Sequence, residues 1–170
     1  ARVKGVIPDI HGVVVGAPEP TIPDSMVFAE ELEALAKSLG LSRYVQFAGF
    51  CQDIPRVMAA LDVVVHCSVE PEPFGRVLIE GMAAGRPGVA VAAGGVPEVL
   101  TDGVTGVLVP PGDPEAMAGA LVGLLNAPGQ AARLAMAGRT DAIRRFNLRE
   151  HARQVEQVYE QVLAGWDRRV

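Results

Sequence analysis

Cysteine is nearly absent: Cys51 and Cys67 are the only two in 170 residues. Two thiols cannot build a disulfide framework. With no zinc-ligand spacing and no His/Asp arrangement of the catalytic kind around them, they suggest neither a structural zinc site nor a thiol nucleophile, and they fit a reducing compartment, the cytoplasm. Aromatic residues make up only 5 %, so a core must come from Val, Ala and Leu. Basic residues are outnumbered, 15 Lys and Arg against 20 Asp and Glu, for a net charge of -5. That balance argues against nucleic acid as the main ligand, because binding a phosphate backbone needs clustered cations. No apolar run approaches the roughly 20 residues that cross a bilayer. The longest uncharged stretch near the middle, Pro87 to Pro97, is short and broken by Gly and Pro. No signal peptide is legible. The chain opens on Ala1 rather than Met, which reads as a piece of a longer polypeptide.

What is present is ample apolar material, 49 % of the residues, with 19 Gly and 13 Pro. That suits one domain, residues 1–170, built from short elements joined by tight turns. The elements alternate. Gly12 to Gly16 reads as a buried strand. A helix is expected from Met26 to Leu39, capped by Asp24 or Ser25, with Phe28, Leu32, Leu35 and Leu39 on one face. Tyr44 to Ala48 is a second strand closed by Gly49, and Asp53-Ile54-Pro55 opens a short helix. Asp62 to His66 is a third strand, Gly75 to Ala84 a helix, Pro87 to Val91 a fourth strand and Gly106 to Val109 a fifth. Asp113-Pro114 starts a helix to Leu125. The rest is helical: Ala131 to Arg145, then a terminal helix in 147–170 that begins on the capping-box pair Asn147 and Glu150. Its Val155, Val158, Tyr159 and Val162 read as a core stripe. Arg144, Arg145, Arg168 and Arg169 read as solvated helix ends. Val-rich strands between helices predict an open, doubly wound parallel sheet, Rossmann-like.

In such a sheet a ligand sits at the carboxyl ends of the strands. The loop after the third strand runs Glu70-Pro71-Glu72-Pro73-Phe74-Gly75-Arg76-Val77-Leu78-Ile79-Glu80. Gly75 permits close approach, and the free N–H groups opening the next helix make an anion site that needs no lysine. Glu80 lies about 7.5 Å down that helix at 1.5 Å per residue, a sensible distance for accepting ribose hydroxyls. Glu72 sits above the helix end. After the fourth strand, Gly94 and Gly95 let the chain pass close to a phosphate or sugar. By position alone, Glu72 also reads as a solvated loop acid, Glu80 as an exposed residue paired with Arg76 at i, i+4, and Gly94-Gly95 as an ordinary turn. His66 ends the third strand beside the cleft; a satisfied structural histidine is the preferred reading over a general base. His11 and His151 read as solvent or packing residues. No P-loop, G-x-G-x-x-G or G-x-S-x-G signature is present.

The ordered set E-P-F-G-R-V-L-I-E-G-M-A-A-G-R-P, V-A-x-x-x-G-G-V-P-E-V and D-G-x-T-G-x-L-V-P-x-G-D resembles the retaining GT-B glycosyltransferases of the glycosyltransferase family 4 type. The likeness runs from Pro8 to Leu163, to the carboxyl-terminal, donor-binding half. Its E-x7-E motif falls on Glu72 and Glu80. The resemblance implies one half of a GT-B architecture that takes a nucleoside-diphosphate sugar as donor, with no cofactor and no metal. It implies that Glu72 contacts the donor sugar beside the reacting centre and that Glu80 holds the ribose. Backbone N–H groups of Phe74 and Gly75 would meet sugar hydroxyls, and those of Arg76, Val77 and Leu78 the diphosphate. Gly94 and Gly95 would border the donor, and the base would lie near Gly49, Phe50 and Cys51.

The sequence also departs from the family. The amino-terminal acceptor half has no counterpart, and the terminal helix is expected to pack on it. The basic pair that grips the diphosphate is missing: Arg2 and Lys4 fit only superficially, because the segment before the strand at Gly12 reads as the end of a helix. Gly88 stands where the family often has a β-branched residue. Alone, the chain is expected to bind donor weakly and to transfer nothing. An apolar strip left bare by the missing half would drive self-association. The full enzyme is expected in the cytoplasm or at the membrane periphery. Alternatives are a non-catalytic nucleotide-binding or assembly module of the same fold and, ranked below it, a nucleotide-sugar epimerase.

Overall fold

The computed structural model describes residues 1–19, 21–68 and 70–166. Helix α1 (Arg2–Val6) leads into strand β1 (Gly12–Val15), followed by α2 (Pro23–Ser38), β2 (Val45–Gly49), α3 (Ile54–Ala60) and β3 (Val64–His66). Then come α4 (Arg76–Ala83), β4 (Gly88–Val91), the short α5 (Val96–Val99) and β5 (Val107–Val109). Helices α6 (Pro114–Asn126), α7 (Pro128–Arg145) and α8 (Leu148–Trp166) complete the described chain. Every strand pairing is parallel, as Val-rich strands separated by helices require.

Helix starts follow local chemistry. The Asp53 carboxylate accepts the Arg56 N–H at 3.2 Å, and Asp113 that of Ala116 at 2.8 Å, each with Pro in the first turn. Asn147 accepts from the Arg149 and Glu150 N–H groups. Glu150 does not complete the capping box; its carboxylate takes hydrogen bonds from Arg153 and Gln154 instead. Helix α2 departs from expectation. It begins at Pro23, with Ile22 at the cap and no side-chain capping bond. Asp24 and Ser25 therefore lie inside the first turn, where the Ser25 hydroxyl donates back to the carbonyls of Ile22 and Glu19.

The strands do not form one continuous sheet, which corrects the single open sheet expected. β1 pairs with β2 alone, and β3, β4 and β5 make a separate sheet in that order. The three-stranded sheet is well covered. Every residue of its central strand β4 is buried. Ala90 points into a cluster with Leu78, Met82, Val96, Val99, Leu100 and Ala142. Val89 and Val91 point the other way, against Val109, Leu124 and Leu134, the alternation a strand imposes. Gly88 is buried too; a Cβ there would meet Leu78 and Leu100 at ordinary contact distance, 3.5 and 3.6 Å.

The two-stranded sheet is bare by comparison. Val13 and Val14 point to opposite faces of β1, yet both are exposed. On α2, Phe28 and Leu35 are exposed, as is Leu39 at its C-cap, and of the expected face only Leu32 is half-buried. The stripe Val155, Val158, Tyr159 and Val162 on α8 is exposed as well, against the expectation of core. Periodicity says which side chains share a face; whether another element covers that face is a separate matter, and here no described element does. Arg168, Arg169 and the end of the expected terminal helix lie outside the described residues.

Leu134, fully buried, and Leu163, largely exposed, give the test. Leu134→Ala is expected to lower the unfolding free energy by about 3 kcal/mol in urea titrations, and Leu163→Ala by no more than about 0.5 kcal/mol.

Candidate functional site

The loops that follow β3 and β4 meet backbone to backbone. The Gly95 N–H donates to the Glu72 carbonyl at 2.8 Å. A Cβ built on Gly94 would stand 2.2 Å from that same carbonyl oxygen, and one on Gly95 would stand 2.3 Å from the Pro73 oxygen. Gly94 also has φ +58, the left-handed region that side chains avoid. Glycine was expected here for approach to a ligand. The structure fills the space of the missing side chains with the backbone of the neighbouring loop.

That contact frames the start of α4. Gly75 is the N-cap residue, left-handed at φ 79. Its N–H donates to Oε1 of Glu72 at 3.1 Å. The Leu78 N–H turns back to the Gly75 carbonyl at 3.0 Å, so Leu78, its side chain wholly in the core, has no free donor; this corrects the expectation that its amide faces a diphosphate. The N–H groups of Arg76 and Val77 have no protein acceptor among the described residues. They stand as unpaired donors at the positive end of the helix.

The side chains around them carry charge of both signs. The Gly75 N–H holds the Glu72 carboxyl below the ordinary glutamate range; burial opposes this, and the Phe74 N–H and His66 reinforce it. His66, at the end of β3, is buried with Nε2 3.8 Å from Oε2 of Glu72. Glu80 is half-exposed, and its Oε1 lies 3.8 Å from Nη2 of the exposed Arg76. The i, i+4 pair thus forms, but loosely and in solvent, where such pairs contribute little. Among the described residues no three of His, Cys, Asp or Glu cluster as metal ligands.

Gly49, Phe50 and Cys51 lie at the carboxyl end of β2, on the other sheet. Gly49 is left-handed at φ 68 and its carbonyl accepts the Gly16 N–H at 2.9 Å. Phe50 is exposed and Cys51 partly buried. No hydrogen bond or ion pair joins the three to the Glu72 loop among the described residues. Arg2 and Lys4 belong to helix α1, as the reading of that segment as a helix end expects. Arg2 pairs with Glu115 at 2.6 Å, and the Lys4 ammonium lies over the Tyr44 ring.

Sequence reasoning missed two residues. Arg145, expected in solvent, reaches from the end of α7 to the carbonyls of Glu98 and Val99 at the end of α5. It also binds Asp141 at 2.7 Å and covers the Phe146 ring. Burial works against the Asp141 charge, but hydrogen bonds from Arg145 and Arg144 outweigh it and hold that carboxyl below its usual range. Phe146 meets Phe74 edge to face, centroids 6.0 Å apart. The end of α7 therefore braces both loops. The only hint in sequence is a basic pair at a helix end, while its partners lie more than forty residues away.

Two outcomes test this geometry. Gly95→Ala is expected to cost about 2 kcal/mol or more of stability, read by urea unfolding, with the amide signals of Glu72 to Gly75 displaced. Glu72, titrated by carboxyl NMR, is expected to protonate below an ordinary glutamate. Since its folded pKa is the depressed one, its stabilising bond is complete above the ordinary glutamate value and is lost as pH falls through the lowered one. Glu72→Gln should remove that part of the acid dependence.

Three comparisons place this chain. Residues 1–127 match the model of the glycosyl transferases group 1 family. A D-inositol 3-phosphate glycosyltransferase of Mycobacterium sp. (strain KMS) is 39 % identical over 110 residues, 64 % of this chain and 24 % of its own length. Alr3699/HepE of Anabaena, solved in complex with UDP and glucose, superposes with a TM-score of 0.86 at 33 % identity, over 94 % of this chain and 42 % of that one. The C-terminal domain of a glycosyl transferase group 1 family protein (LpcC) from Francisella tularensis superposes with a TM-score of 0.75 at 30 % identity, over 86 % and 77 %. The chain thus spans about a quarter of the length of the curated relatives it matches first. Its α/β architecture is that of the carboxyl-terminal half of GT-B glycosyltransferases, and the chain belongs to the glycosyl transferases group 1 family.

Proposed function

We propose that this chain is the donor-binding half of a retaining glycosyltransferase of the family 4 type, which moves a sugar from a nucleoside diphosphate to an acceptor held by another half of the enzyme. The observation that carries the reading is the opening of α4: two backbone N–H groups, Arg76 and Val77, without protein acceptors among the described residues, beside a carboxylate at the helix cap. In this role the two amides hold the diphosphate and meet the charge that grows on it as it leaves. Phe74 and Gly75 present backbone donors to the sugar, and Glu72 stands against the sugar at the reacting carbon. Glu80 accepts from the ribose hydroxyls, and the base lies toward Gly49, Phe50 and Cys51. The complexes with UDP, and with UDP and glucose, of a neighbour at 33–34 % identity make UDP-glucose the first donor to try. Two free thiols agree with a cytoplasmic setting, and no described helix is long and apolar enough to cross a membrane. No observation favours the non-catalytic module or the epimerase over this reading.

The acceptor half belongs to the same reading. Exposed Val13, Val14, Phe28 and Leu35 offer it a surface, as does the apolar stripe of α8. Left uncovered, those faces draw copies together: the apparent mass by light scattering is expected to rise with concentration, and a strict monomer at high concentration would count against the surface being sticky.

Titration with UDP and with UDP-glucose, followed by backbone amide NMR, tests the site. Shifts at Arg76 and Val77 are expected. Glu80→Ala should weaken binding by about tenfold or more, the loss of a charge-assisted hydrogen bond. Silence from Phe74 through Glu80 would end the proposal. In an enzyme that includes the acceptor half, Glu72→Ala is expected to depress turnover while UDP still binds.

A further inference from the structure

Glu72 has two carboxylate oxygens, and the structure gives each a different neighbour. Oε1 accepts the Gly75 N–H at 3.1 Å. Oε2 lies 3.8 Å from His66 Nε2, close enough for attraction and too far for a hydrogen bond. His66 is only 9 % exposed, and its other ring nitrogen, Nδ1, is buried with no hydrogen-bond partner among the described residues. The orphaned nitrogen bears on the tautomer. A proton on Nδ1 would bury an N–H that has no acceptor, while a proton on Nε2 leaves only a lone pair at Nδ1 and gives the carboxylate a donor. His66 is therefore assigned as the Nε2–H form, by the hydrogen-bond pattern around it.

The carboxylate is thus tied at one oxygen and within reach of a second donor at the other. Its present tie is a group that the donor-binding reading gives to the sugar. If a sugar hydroxyl takes the Gly75 N–H, Glu72 must release it. A half-exposed carboxylate without another donor would then be free to turn, and a freely turning acid is poorly placed against a reacting carbon.

Resting on that reading, we propose that His66 is a positioning residue for Glu72: when a nucleotide sugar claims the Gly75 N–H, the carboxylate passes from Gly75 to His66 Nε2–H and is held there. The motion is small, the closing of 3.8 Å to hydrogen-bond length. His66 is suited to receive it, because it ends a strand of the packed sheet and cannot move far. The arrangement is that of an outer residue orienting a working one, the role carboxylates play for metal-bound histidines with the partners exchanged.

The test is long-range proton–nitrogen NMR of the imidazoles together with the backbone amides, on the whole chain, free and with UDP or UDP-glucose. His66 is expected as the Nε2–H tautomer throughout. UDP should move Arg76 and Val77 but leave the Gly75 amide and His66 in place, whereas UDP-glucose should also move the Gly75 amide and the His66 Nε2–H together. An Nδ1–H tautomer, or a Gly75 shift with His66 unmoved, overturns the proposal. Two variants give an independent arm. His66→Leu is expected to keep its UDP affinity but to lose about tenfold in the ratio of UDP-glucose to UDP affinity. His66→Gln, which retains a side-chain donor, should restore most of that ratio. An unchanged ratio in His66→Leu overturns the proposal, and UDP affinity serves as the control for folding. Silence at Arg76 and Val77 with both ligands is a different result: it removes the donor-binding reading itself, and the proposal falls with it.

Discussion

Two loops touch with no side chain between them, and the rest of the site depends on that contact. The Gly95 N–H and the Glu72 carbonyl are joined at 2.8 Å, and any Cβ at position 94 or 95 would collide with the backbone of Glu72 or Pro73. The contact sets where Glu72 stands. Glu72 in turn caps Gly75, and Gly75 sets where α4 begins and which amides it leaves open. The braces on this junction come from far away in sequence. Arg145 holds the far end of α5, and Phe146 packs on Phe74. A rigid loop pair on a buried strand is what a binding site needs if its donors are backbone N–H groups, because such donors can be aimed only by fixing the chain.

The molecule is uneven in the same way. The three-stranded sheet has two covered faces and a fully buried central strand, and it carries both loops. The two-stranded sheet and α2 leave valines, Phe28 and Leu35 in solvent. Local stability follows apolar burial, so hydrogen exchange should be slowest around β4 and faster in β1 and β2. For function the consequence is a division of labour. The proposed phosphate and sugar contacts rest on the packed portion. The proposed base contacts at Gly49, Phe50 and Cys51 rest on the looser one, whose position relative to α4 has fewer constraints.

Much of this was legible in the residues. Strand–helix alternation, the Asp53 and Asp113 caps and the Pro positions after them are local chemistry, and the structure follows them closely. The start of α4 at Gly75 was legible because a Gly before a helix and a restricting Pro are local signals. Other features were not, each for a physical reason. Leu78 forfeits its N–H to a tight first turn, which depends on the left-handed Gly75 cap. That another backbone lies against Gly94 and Gly95 does not show in sequence, because the contact is made only when the two loops meet in the fold. Arg145 looked like a solvated helix end because its acceptors, the carbonyls of α5, become neighbours only after folding. The exposed faces of α2 and α8 have the right period for burial, yet period carries no information about a covering partner.

One electrostatic point ties the composition to the site. The chain is acidic, with net charge -5, and the two cations nearest its start, Arg2 and Lys4, are engaged with Glu115 and Tyr44. An anionic ligand therefore gains nothing from the net charge of the chain; what α4 offers it is local, the aimed dipoles of the first turn and the exposed Arg76. The Glu72 carboxylate shows that the dipoles serve, since the Gly75 N–H already stabilises its negative charge and holds its proton affinity down. A negative oxygen sits at the helix cap without a lysine beside it. The same bond implies competition. A ligand oxygen that approaches Gly75 must displace a charged acceptor, whereas one that approaches Arg76 or Val77 meets open donors. Under the proposed function, the diphosphate and the sugar therefore engage the helix unequally, the first at the unpaired donors and the second by exchanging with Glu72, and the proposed distinction between a bound nucleotide and a bound nucleotide sugar lies in that exchange.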